Sequence, residues 1–153
     1  MQLSIAYPQT LKKIIQYGQK EKNFNIDEPN EFGKTPLMWA AQYGFLESVK
    51  ILLDSGANIN KQTYESNCDD DWDSFDCIRN GKRTALMYAV QEGQGQIVRY
   101  LLDQKADKTL KDSLGKTAYD YLLGNAPDWG PYSDITINGG LTYKREKGFS
   151  SFV

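Results

Sequence analysis

One arrangement of apolar and polar positions occurs twice along the chain. In the first copy Leu37, Ala40 and Ala41 share a face at helical spacing, Gly44 breaks the run, and Val49, Leu52 and Leu53 give a second apolar stripe that stops at Gly56. In the second, Leu86, Ala89 and Val90 precede Gly93, and Ile97, Val98, Leu101 and Leu102 follow it. Thr35 and Thr84 stand where an N-cap hydroxyl satisfies free backbone N–H groups, and Pro36 suits a first helical position. Small alanines let neighbouring helices approach closely. Ala57 and Ile59 anchor an extended finger leading to the next copy. The pattern therefore predicts helix–turn–helix units, none of which can bury its apolar face without a stacked neighbour.

The spacing between copies is regular. Thr84 to Thr117 is 33 positions, Ile26 to Ile59 is also 33, and a third opening follows at Gly115-Lys116-Thr117-Ala118-Tyr119-Asp120-Tyr121-Leu122. Gly33-Lys34-Thr35-Pro36-Leu37-Met38-Trp39-Ala40-Ala41 and Lys82-Arg83-Thr84-Ala85-Leu86-Met87-Tyr88-Ala89-Val90 are the clearest copies. Over about residues 8–124 the sequence resembles the ankyrin-repeat family. The resemblance implies a mainly all-α solenoid of about three to four repeats with β-hairpin fingers. Its first repeat is degenerate, one amphipathic helix from Pro8 to Tyr17, and its last is a short helix from Thr117 to Leu123. Residues 1–124 form the repeat domain, with an insertion at about 62–80. Residues 125–153 form a capping tail of the same domain, where Ile135–Ile137 and Leu141–Tyr143 flank Asn138-Gly139-Gly140, a hairpin signal.

The insertion is the first departure from the period. Thr35 to Thr84 is 49 positions, 16 more than the repeat. The extra segment holds both cysteines, Cys68 and Cys77, and Asp70, Asp71 and Asp73 interleaved with Tyr64, Trp72 and Phe75. Acids mixed with aromatics on a protruding loop suit a protein interface, the alternative being a solvated acidic loop. A Cys68–Cys77 disulfide would constrain the unfolded loop by about 2–3 kcal/mol and place the protein in an oxidising compartment, against two free cytosolic thiols. Asp69, Asp71 and Asp73 mimic part of a calcium loop, but Ser74 and Asn80 occupy positions where that loop needs Gly and Glu, so no metal is expected.

Composition narrows the chemistry. The 153 residues contain no histidine, which removes the usual general base and the commonest zinc ligand. Neither an enzyme nor a cofactor is expected. A net charge of −2 argues against bulk attraction to nucleic acid or anionic lipid, and no apolar run is long enough for a membrane span. Met1 opens a segment without the features of a secretory signal, which fits a cytosolic start or a mature domain with an added Met.

The family resemblance implies a partner protein bound by the fingertips and the exposed side of the first helices, a concave surface. By position this points to Glu31, Phe32, Lys34, Gln42 and Tyr43, to Arg83, Gln91 and Glu92, and to Ser113, Leu114 and Lys116. Met38 and Met87 replace the family's histidine after Thr-Pro-Leu, which puts its link between fingers in doubt. Trp39 and Tyr88 read as semi-buried packing residues. The cysteine-bearing insertion, Asn80–Met87 and Gly115–Leu122 also resemble small bacterial ankyrin immunity proteins paired with secreted antibacterial lipases. That resemblance implies a periplasmic monomer that neutralises a cognate toxin. The alternative is a cytoplasmic adaptor or host-directed effector.

Overall fold

The computed structural model describes residues 4–65, 81–124, 135–137, 141–146 and 149–152. Among these, six helices and three strands run in chain order: α1 Pro8–Gly18, α2 Pro36–Gln42, α3 Leu46–Asp54, α4 Ala85–Gln91, α5 Gly95–Asp103, α6 Ala118–Gly124, β1 Ile135–Ile137, β2 Leu141–Glu146 and β3 Phe149–Phe152.

Each inner helix starts at a threonine. Thr35 Oγ1 accepts from Met38 N at 3.4 Å, Thr84 Oγ1 from Met87 N at 3.3 Å, and Thr117 Oγ1 from Asp120 N at 3.3 Å. Three residues after each threonine stands a methionine, a methionine and an aspartate. Met38 Sδ accepts from Thr35 N at 3.4 Å, and Asp120 Oδ2 accepts from Thr117 N at 2.7 Å, closing the reciprocal bond of a capping box. Sulfur in the first copy and carboxylate in the last thus supply the acceptor for the N-cap N–H group.

Two rows of helices follow. Helix α4 packs against both α2 and α6, forming the inner row, while α1, α3 and α5 pack in succession as the outer row. α2 joins α3 and α4 joins α5 across the short glycine turns. The described repeat residues therefore form an N-terminal outer helix, two full pairs and a C-terminal inner helix. Leu11, Ala40, Ala41, Val49, Leu52, Ala89, Val98 and Leu101 are completely buried between the rows. Each fully buried leucine contributes roughly 1.5–3 kcal/mol. Ser48, also wholly buried, donates to the Ile5 carbonyl at 2.5 Å and seats the N-terminal segment on α3.

Turns, with no strand ladder among the described repeat residues, build the fingers. Asn25, Asn58 and Asp107 each accept from the backbone two residues on, at 3.0, 3.0 and 2.8 Å. Successive turns are then joined: Asp27 accepts from Asn58 N at 2.9 Å, and Asn60 Oδ1 from Asp107 N at 2.8 Å. The turn acceptors Asn25 and Asn58 occupy equivalent places 33 positions apart, the same spacing as Ile26 and Ile59.

The base of the insertion is equally defined. Asn30 N and Lys34 O bond at 3.1 Å, and Asp112 N and Lys116 O at 2.9 Å, each closing a tight turn four residues long. The equivalent bond in the middle copy joins Thr63 N and Arg83 O at 3.0 Å, twenty residues apart. The 16 additional residues thus fall between Thr63 and Arg83, where the other copies close a tight turn, and Lys82 N donates to Tyr64 O at 3.2 Å to hold the stem. In the tail, β2 pairs antiparallel with both β1 and β3.

Candidate protein-binding face

Lys34, Arg83 and Lys116 each precede an N-cap threonine, and each backbone is pinned by the turn before it. Asn30 Oδ1, Thr63 Oγ1 and Asp112 Oδ1 accept from their respective N–H groups, all at 2.8 Å. Five residues after each cation stands a ring: Trp39, Tyr88 and Tyr121. Because the inner helices stack in register, cations and rings interleave. Lys34 Nζ lies 4.0 Å from the Trp39 ring centre and 4.3 Å from that of Tyr88. The Arg83 guanidinium lies 4.5 Å from both Tyr88 and Tyr121, and Lys116 Nζ 5.6 Å from Tyr121. Tyr43 stacks on Trp39 at 5.4 Å and 9°. The result is one continuous ladder across all three inner helices.

Glutamines steady the first two rungs, Gln42 Oε1 accepting from Lys34 Nζ and Gln91 Oε1 from Arg83 Nη2. Gln42 also donates to Glu92 at 3.4 Å. Burial, then the Arg83 charge, lowers the Lys34 pKa to about 8, while Glu92 works the other way. Burial raises Tyr88. Tyr121 is pushed up to about 12 by burial and by the 2.5 Å hydrogen bond it donates to Asp112.

Around this ladder the sequence-expected residues separate into three groups. Phe32, Tyr43, Tyr64 and Leu114 are large apolar side chains about half exposed, and Glu92 is exposed. Lys34, Gln42 and Gln91 are half-buried supports. Arg83 differs from the expectation of an accessible contact: at 3% exposure it lies beneath its two tyrosines. Asp70, Asp71, Trp72, Asp73, Phe75 and the Cys68–Cys77 pairing lie outside the described residues. Sequence reasoning took Trp39 and Tyr88 only as packing and passed over Tyr121. The thrice-repeated cation-to-ring spacing of five was the available signal. Among the described residues no cluster of His, Cys, Asp or Glu could hold a metal ion, and no helix is long and apolar enough to cross a membrane.

Comparison with known proteins settles the family. A model of ankyrin repeats in three copies matches residues 3–112. The chain is an ankyrin-repeat protein. It is 41% identical over 105 residues to ankyrin repeat and SAM domain-containing protein 6 of Rattus norvegicus, covering 68% of this chain and 10% of that protein. It is 31% identical over 110 residues to the E3 ubiquitin-protein ligase hecd-1 of Caenorhabditis elegans, covering 72% and 3%. It is 35% identical over 109 residues to the ankyrin repeat and KH domain-containing protein mask of Drosophila melanogaster, covering 71% and 2%. The chain thus spans a tenth or less of these relatives. The matched ankyrin span ends at Asp112, and α6 adds a further inner helix on the ladder beyond it.

Proposed function

We propose that this ankyrin-repeat chain is a protein-binding module whose partner lies across the fingers and inner helices. The carrying observation is the placement of Phe32, Tyr43, Tyr64 and Leu114, large apolar side chains left about half in water along one ladder-backed face. Exposed aromatics supply much of the energy of protein interfaces. A photoreactive residue replacing Tyr43 is expected to crosslink one partner in extract from the native source, whereas the same residue at exposed Arg99 on the outer row is not. Equal labelling from both positions, or none from Tyr43, sinks the proposal.

The finer reading is a stoichiometric antagonist of a secreted antibacterial effector, acting in the periplasm with Cys68 bonded to Cys77. Its support is the resemblance of the insertion and of Asn80–Met87 and Gly115–Leu122 to ankyrin immunity proteins. The relatives named above are animal proteins and add nothing to it. Alkylation of protein from its native compartment separates the two readings. Thiols that react only after reduction favour the extracytoplasmic antagonist, and two freely reactive thiols favour the adaptor.

A further inference from the structure

We propose that the partner segment received by this face is acidic: an extended stretch of polypeptide whose Asp or Glu side chains meet Lys34 and Lys116, the rungs on either side of the buried Arg83. The inference rests on the protein-binding reading above and adds the chemistry of the partner.

Three observations support it. The cations recur at one structural position in three successive copies, so their charges form a row in a chain whose net charge is −2. Among the described residues no carboxylate comes within ion-pair distance of Lys34 or Lys116, whereas Lys50 and Lys82 have Glu47 and Glu65 at 2.7 and 2.5 Å. Of the described carboxylates beside the row, Asp112 is committed to the Leu114 and Lys116 N–H groups and the Tyr121 hydroxyl, and Glu92 accepts from Gln42 at 3.4 Å. A pinned, partly desolvated cation attracts a carboxylate more strongly than a solvated one, because less water screens the pair. The rings hold each cation in place beforehand, which reduces the ordering cost of binding.

The test is a selection of twelve-residue peptides from a displayed library holding acidic, neutral and basic pools at equal abundance. Acidic peptides are expected to enrich. Their affinity is expected to fall at least tenfold in Lys34→Gln/Lys116→Gln and between 50 and 300 mM NaCl, with Lys105→Gln on the outer side unchanged. Lys116→Gln alone, at an exposed position, is expected to weaken binding severalfold without shifting the urea midpoint, which separates lost charge from lost fold. Neutral or basic peptides that bind and protect Tyr43 from surface labelling overturn the acidic assignment and leave the binding face standing. Failure of every pool to bind overturns both.

Discussion

Lys105 occupies the position that Gly56 holds one copy earlier, and both adopt the left-handed region, at φ 64° and 93°. A side chain there costs about 1–2 kcal/mol, partly offset by the lower entropy of a non-glycine residue in the unfolded chain. Lys105→Gly is expected to stabilise the protein by roughly 0.5 kcal/mol, read from the urea midpoint. Gly33 and Gly115 give the converse comparison, at φ 80° and 74°. A Cβ on Gly115 meets open space, but one on Gly33 runs into the backbone nitrogen and ring of Tyr64. Gly33→Ala should therefore lower the urea midpoint clearly more than Gly115→Ala, and equal losses would contradict the finger packing. Lys34 adds a pH signature. With its pKa near 8 against an ordinary 10.5, the folded chain releases this proton before the unfolded chain does, so its contribution rises as pH climbs from 8 to 10.5. Tyr121, pushed up to about 12, acts oppositely above pH 10. Thermal melts from pH 7.5 to 9.5 should show wild type gaining on Lys34→Gln across that window.

At the scale of elements, the helices were legible because their signals are local. Thr35, Thr84 and Thr117 precede their helices by one residue, and Pro8 to Tyr17 was read to within a residue of α1. The fingers were less legible. Their expected hairpins are side-chain-bonded turns, because Asn25, Asn58 and Asp107 supply an acceptor that competes with strand pairing. Helix α1 depends on a bond that periodicity does not reveal. Ser48 is fully buried on α3 and tied to the Ile5 carbonyl, so Ser48→Ala leaves that acceptor without its partner. A loss of about 1–3 kcal/mol is expected, with hydrogen exchange rising first in α1. Uniform acceleration across all helices would count against this local role.

The whole molecule behaves as a stack in which each helix meets only its neighbours, so stability should be unevenly shared. Helix α4 touches α2, α5 and α6, whereas α1 packs on α3. Leu86→Ala and Leu11→Ala both open a cavity at a buried site, each costing roughly 2–5 kcal/mol. The α4 change is expected to lower protection throughout the stack, and the α1 change mainly at the N-terminal end. The repeat period, the helix pairs and the length of the insertion were determined by the sequence alone, because caps, glycines and apolar spacing act over a few residues. The sequence also placed a cation five residues before a ring in three copies. Only the tertiary structure decided that Arg83 is buried, that Lys34 bridges Trp39 and Tyr88, and that Thr63 and Arg83 close the insertion. Those outcomes depend on the stacking register of separate helices, which brings residues from different copies within a few ångströms and which no local pattern encodes.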